Sequence, residues 1–226
     1  MKRSILLVTL ACTILGCSTK ASRTETDLKA ARDAEQRMRK QNPPKADEAI
    51  AAYQKVLADD PKNKEAFFAL VRLYDLSEKG QEVRDTISKR GSDTSIPQME
   101  RAQIWTMLEA WYWRHAAEYY DFEKKTKLTD SEKQSYRARV QSDITLGLRA
   151  ADLAVQLYPW TDTWNYRAGL LNMASDFSDL PSEKAAYRKQ ADDASKHAEA
   201  LGENGKINDG DVTAFFARVS KLATPK

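Results

Sequence analysis

The chain has 226 residues, with 36 Lys and Arg against 33 Asp and Glu and a net charge of +3. A balance so near neutral lacks the concentrated basic face that nucleic acid demands, which argues against nucleic acid as a partner. With 42% apolar and 31% charged residues, the composition is ordinary for a helical protein held by packing. Alternating apolar and polar runs of Val, Ile and Thr are nearly absent. Most Gly and Pro fall between apolar-periodic stretches, so the chain reads as all-α.

At the start, Lys2 and Arg3 precede an apolar run from Ile5 to Leu15 that ends in Ile14-Leu15-Gly16-Cys17. A short apolar run behind a positive start is the shape of a cleaved export signal, and it is too short to span a bilayer as a helix. Ile14 to Cys17 resembles the lipobox of bacterial lipoproteins, in which a small residue precedes the lipidated cysteine. That resemblance implies a signal peptide over 1–16 and Cys17 as the first mature residue, carrying lipid (palmitate) on its sulfur. Two other readings stand beside it: cleavage before Cys12, after Thr9-Leu10-Ala11, and an ordinary secretory peptide with a chance cysteine. Removing 1–16 takes away Lys2 and Arg3 and no acid, so +3 becomes +1 and Cys17 is left as the sole cysteine. Ser18 to Glu25 is then expected as a polar tether of at most ~28 Å, within a lipidated N-terminal segment spanning 17–26. Ser18 is not Asp; by resemblance to the known sorting rule, this implies the outer membrane, facing the periplasm.

Helices follow in order. A first is expected over about 27–41, stopped by Asn42-Pro43-Pro44, and a second over about 46–58, stopped by Asp59-Asp60-Pro61. A third covers about 63–76, and a fourth follows Gly80 and ends near Gly91. Ser95-Ile96-Pro97-Gln98 opens a fifth with a capping-box pattern and Pro in the first turn, and it meets no breaker until Lys124. Thr129-Asp130-Ser131-Glu132 is a second capping box. It opens a sixth helix with Tyr136, Val140, Ile144, Leu148, Ala151, Val155 and Tyr158 on its inner face, stopped by Pro159. A seventh is expected over about 162–175, an eighth over about 181–201, and a ninth over about 209–223 with Val212, Phe215, Val219 and Leu222 on one stripe.

Asp47 to Pro61 closely resembles the second helix of a tetratricopeptide repeat. Ala49 takes the small position between paired helices, Tyr53 and Val56 the next inward positions, and Pro61 the end of the unit. Phe67, Leu70, Val71 and Tyr74 then match the first helix of a following repeat, with Val71 where that family places glycine or alanine. Gly147 to Pro159 repeats the pattern, and Gly169 falls at the small position with Trp164 one residue early. The two prolines lie 98 residues apart, near three 34-residue periods. Between them the fifth and sixth helices are about twice the family's length. The resemblance implies stacked antiparallel helix pairs, about nine helices in an α-solenoid over one domain spanning 27–226, with the ninth as a closing cap. It also implies a groove that holds a partner protein's segment.

The fifth helix is the densest aromatic stretch. Ile104, Leu108, Trp111, His115, Tyr119 and Phe122 form one stripe, and Trp105, Tyr112 and Tyr120 a second. A helix apolar on most sides is usually buried, while Trp and Tyr on a groove make strong binding anchors. Trp105, Tyr112, Trp113 and Tyr120, together with Trp164, are therefore candidate binding residues, and both readings stand. His115 and Glu118 have a metal-ligating spacing but nothing nearby offers a third ligand, so a packed or surface histidine is expected. His197 reads as solvated. Asn208-Asp209-Gly210-Asp211 fails as a calcium loop, because Gly205, Ile207 and Phe216 would stand where oxygen ligands belong; helix capping by Asp209 or Asp211 fits better. No phosphate loop, nucleophile elbow or paired-histidine motif occurs. No metal or cofactor is expected. The leading expectation is a non-enzymatic, membrane-anchored scaffold or assembly factor for an envelope complex. The alternatives are a periplasmic small-ligand carrier serving a transport system, and an envelope enzyme acting on peptidoglycan or polysaccharide.

Overall fold

The computed structural model describes the backbone of residues 9–42, 45–125 and 127–222, and the side chains of 21–42, 45–120 and 127–220. The protein is all-α. Among the described residues nine helices run in order: α1 (Thr9–Arg39), α2 (Asp47–Asp59), α3 (Lys64–Leu76), α4 (Gly80–Ser92), α5 (Gln98–Lys125), α6 (Asp130–Leu157), α7 (Thr161–Phe177), α8 (Pro181–Leu201) and α9 (Gly210–Leu222). A 3₁₀ turn, Glu203–Gly205, joins the last two. Among the described residues no helix is long and apolar enough to cross a membrane.

The stretch 18–25, expected as a polar tether, is helical and lies within α1. All but Ala21 are polar, and none is Gly or Pro, so nothing interrupts the backbone ladder. The chain forms two compact units, Met1–Thr86 and Ile87–Lys226, with the boundary inside α4.

In the N-terminal unit α1 packs on α2, and α2 on α3. Leu28, Ala31, Ala34 and Met38 make the buried stripe of α1 at helical spacing, and Ala49, Ile50, Tyr53 and Val56 make that of α2. Asn63 caps α3 by accepting the Ala66 N–H at 3.0 Å. The α3 face is nearly continuous: Phe67, Leu70, Val71, Leu73 and Tyr74 are all buried. Glu35 is buried among them, 7% exposed, and its carboxylate collects several donors. Arg72 Nη2 reaches both oxygens at 2.6 Å, Arg39 donates at 2.7 Å, and the Tyr53 hydroxyl donates at 3.0 Å. Burial pushes the Glu35 pKa up, but the Arg39 hydrogen bond and the Arg72 charge outweigh it and hold the carboxyl below its ordinary value.

In the C-terminal unit α5 pairs with α6 and α7 with α8, while α7 also lies on α5 and α6. The α6 start is the expected capping box: Thr129 Oγ1 accepts the Glu132 N–H at 3.3 Å, and Glu132 accepts the Thr129 N–H at 2.8 Å. Along α6, Val140, Ile144, Gly147, Ala150, Ala151 and Ala154 are buried, but Tyr158 is 37% exposed and leaves the expected stripe. Its ring packs on Trp160 past the end of the helix instead. Asp209 caps α9, accepting the N–H groups of Asp211 at 3.1 Å and Val212 at 3.3 Å. α9 packs on α5, in the first hairpin of its unit, and its Phe216 meets Tyr166 of α7 at 5.3 Å. The chain is turned toward that position at the start of α7, where Thr161 donates to the Gly202 carbonyl and Asp162 accepts the Ile207 N–H, each at 2.8 Å.

Candidate functional site

The aromatic residues of α5 divide between two roles. Trp105 and Tyr112 are buried, at 8% and 5% exposure, and do not stand on a surface as binding anchors. The Trp105 indole donates to the Gly91 carbonyl at 3.1 Å, and Tyr112 meets Trp111 edge-on at 5.3 Å. From Ile104 to Tyr112 every residue is buried, so both stripes face protein. Trp113 and Tyr120 are partly buried. Trp113 lies against Tyr166 at 5.5 Å and over Gly169, where a Cβ would stand 2.5 Å from its indole nitrogen. Tyr120 packs edge-on to Phe177 and donates its hydroxyl to Asp176 at 2.7 Å. The face of α5 toward α7 is thus filled by the protein's own side chains. Gly147 of α6 meets the same corner: its Cβ would come 2.7 Å from Leu170 and 3.1 Å from Cβ of Tyr112. Both glycines mark close approaches between helices.

Trp164 sits elsewhere, on the side of α7 toward α8. It stacks on His197 at 4.5 Å with a 24° interplanar angle, and the Arg167 guanidinium lies 5.9 Å from its ring centre. His197 is exposed but stacked rather than simply solvated. Arg167 is held by Asp152 of α6 at 2.6 Å. This gives an indole, an imidazole, a guanidinium and a carboxylate across three helices.

The His115 ring packs on Trp111 at 3.9 Å, with Nδ1 3.7 Å from Glu118. Arg114 donates to its Nε2 at 2.9 Å. A guanidinium on that lone pair both occupies and repels a cation's position. Among the described residues no group of three or more metal-ligating side chains occurs. Cys17 falls on the backbone of α1, and its side chain lies outside the described residues.

Sequence reasoning missed the polar line buried along the α5–α7 contact. Thr106 of α5 and Thr163 of α7 share a buried hydroxyl–hydroxyl hydrogen bond of 2.6 Å. One turn further along α5, Glu109 is wholly buried, and neither carboxylate oxygen has a hydrogen-bond partner. Burial pushes its pKa well above the ordinary carboxyl value; the Arg167 charge pulls it back and Asp152 pushes it further up. The signal was in the sequence: Glu109 is the one charged residue between Ile104 and Trp113. Arg167 and Asp152 carried no such signal, because each sits in an ordinary polar stretch.

The helices and their contacts define an all-α protein built from paired helices. Comparison with known proteins finds no matching family model, no matching curated protein and no matching solved structure.

Proposed function

We propose that this protein is a lipid-anchored, non-enzymatic scaffold or assembly factor of a bacterial envelope complex, with a tetratricopeptide-like use of paired helices. The lipid on Cys17 fixes its location at the outer membrane on the periplasmic side. Helical faces of the folded units hold a segment of an envelope protein partner. A helical 18–25 stretch spans only ~12 Å at 1.5 Å per residue, so the body would stand nearer the membrane than an extended tether allows.

The observation that carries the scaffold over a solute carrier is the filling of the aromatic face. A carrier requires an apolar chamber lined by those rings. Trp105 and Tyr112 are buried in packing, and Trp113 is closed against Gly169 and Tyr166. The close approaches at Gly147 and Gly169 also support helix pairs packed as in repeat proteins. The test is Cys17→Ala followed by fractionation. The reading expects the wild type with membranes and the variant in the soluble fraction; a variant that still fractionates with membranes contradicts the anchor.

A further inference from the structure

We propose that Glu109 is a proton-controlled latch in the C-terminal unit: with its proton it lies packed between α5 and α7, and without it draws Arg167 away from Asp152.

The inference rests first on burial and bonding. Glu109 is fully buried and neither of its oxygens has a hydrogen-bond partner. An ionised carboxylate in that setting is an uncompensated buried charge, which costs far more than losing a hydrogen bond. The packed arrangement therefore belongs to the neutral acid. The surroundings also contain the alternative partner. From α7, Arg167 acts on Glu109 favourably, and from α6, Asp152 acts on it unfavourably. Tyr166, also on α7, is within electrostatic reach, and α9 enters this corner through Ser220, hydrogen-bonded to the Tyr166 hydroxyl. On α5 itself no other charged residue lies between Ile104 and Trp113.

Arg167 is paired with Asp152 at 2.6 Å in this arrangement. Asp152 is about half exposed, so water can solvate it if the guanidinium leaves. Glu109 has no such recourse. When its proton passes to bulk water, the buried carboxylate makes the stronger claim on Arg167. The exchange moves the guanidinium between α6 and α5 and disturbs the Trp164 ring beside it. The latch depends on residues of the folded unit and stands whether or not Cys17 carries lipid.

The sign of the pH effect follows from the raised carboxyl. Its stabilising contribution is complete below the ordinary carboxyl value and is lost as pH rises through the value in the folded protein. The experiment is thermal unfolding and tryptophan fluorescence of the full chain between about pH 4.5 and 9, for wild type, Glu109→Gln and Asp152→Asn. The wild type should lose melting temperature relative to Glu109→Gln as pH rises. Asp152→Asn should move the midpoint of that loss down by about one pH unit, since it removes the opposing charge and frees Arg167. Parallel profiles for wild type and Glu109→Gln overturn the proposal, as does an unmoved midpoint in Asp152→Asn. If Glu109→Gln does not fold, carboxyl carbon NMR of the wild type decides. A proton retained on Glu109 near pH 6 supports the latch, and a carboxylate already ionised there overturns it.

Discussion

A methyl group on Gly169 of α7 would stand 2.5 Å from the indole nitrogen of Trp113 on α5, closer than real Cβ atoms come to any neighbour. The ring is rigid, so it cannot fold aside as a flexible chain end would. Gly169→Ala gains about 1 kcal/mol of helix propensity but overpacks this contact at a cost of about 1–3 kcal/mol. Chemical denaturation should show a net loss of about 1 kcal/mol, and Trp113→Phe in the same chain should recover part of it.

The Thr106–Thr163 pair gives an asymmetric prediction. Thr106 donates to the Ala102 carbonyl at 3.0 Å, so the proton in the 2.6 Å inter-helix bond comes from Thr163. Thr106→Val leaves the Thr163 hydroxyl buried without its acceptor and should cost about 1–3 kcal/mol. Thr163→Val leaves Thr106 still donating to Ala102 and should cost less. The double variant should be milder than the two single losses added, since no hydroxyl is then stranded.

Glu78 follows α3 with φ +57°, a left-handed backbone that disfavours a side chain. The Lys79 and Glu78 N–H groups bond back to the Tyr74 and Asp75 carbonyls at 2.9 and 3.2 Å, the pairing of a helix end that usually places glycine here. Glu78→Gly should raise the stability of the N-terminal unit by about 1 kcal/mol, read from hydrogen exchange of α2 and α3. No gain would mean that the turn accommodates the side chain without strain.

The all-α plan was legible because Gly and Pro fall between stretches of helical apolar period; Ala49 and Gly147, each twelve residues before a proline, are both buried. Caps at Thr129 and Asp209 were readable from local sequence; the Asn63 cap of α3 was not read. Whether the α5 aromatics face a groove or a core was not legible. Trp105 and Tyr112 look the same in sequence whether they face a groove or a core, and only the enclosure of α5 distinguishes the two. The 18–25 stretch is helical where its polarity suggested a tether, and none of its residues is Gly or Pro to break the ladder.

Glu35 links stability of the N-terminal unit to acid. Its carboxyl, lifted by burial, is held below the ordinary value by Arg39, Arg72 and Tyr53. The stabilisation is therefore present above the ordinary value of 4.5 and lost as pH falls through the lower folded value. Glu35→Gln strips the charge from beneath Arg72 and should cost about 3 kcal/mol at neutral pH. It should also flatten the acid limb that the wild type shows in hydrogen exchange of α1 to α3. An equally steep limb in the variant would assign that limb to other carboxylates.

The central claim is an envelope scaffold held by lipid at Cys17. The measurement that tests it most directly is native mass spectrometry of the protein extracted gently from its own envelope. The expected result is a chain that begins at Cys17 and carries acyl mass, in complex with a partner protein at fixed stoichiometry. A solitary chain without acyl mass, or one holding only a small bound molecule, would contradict it.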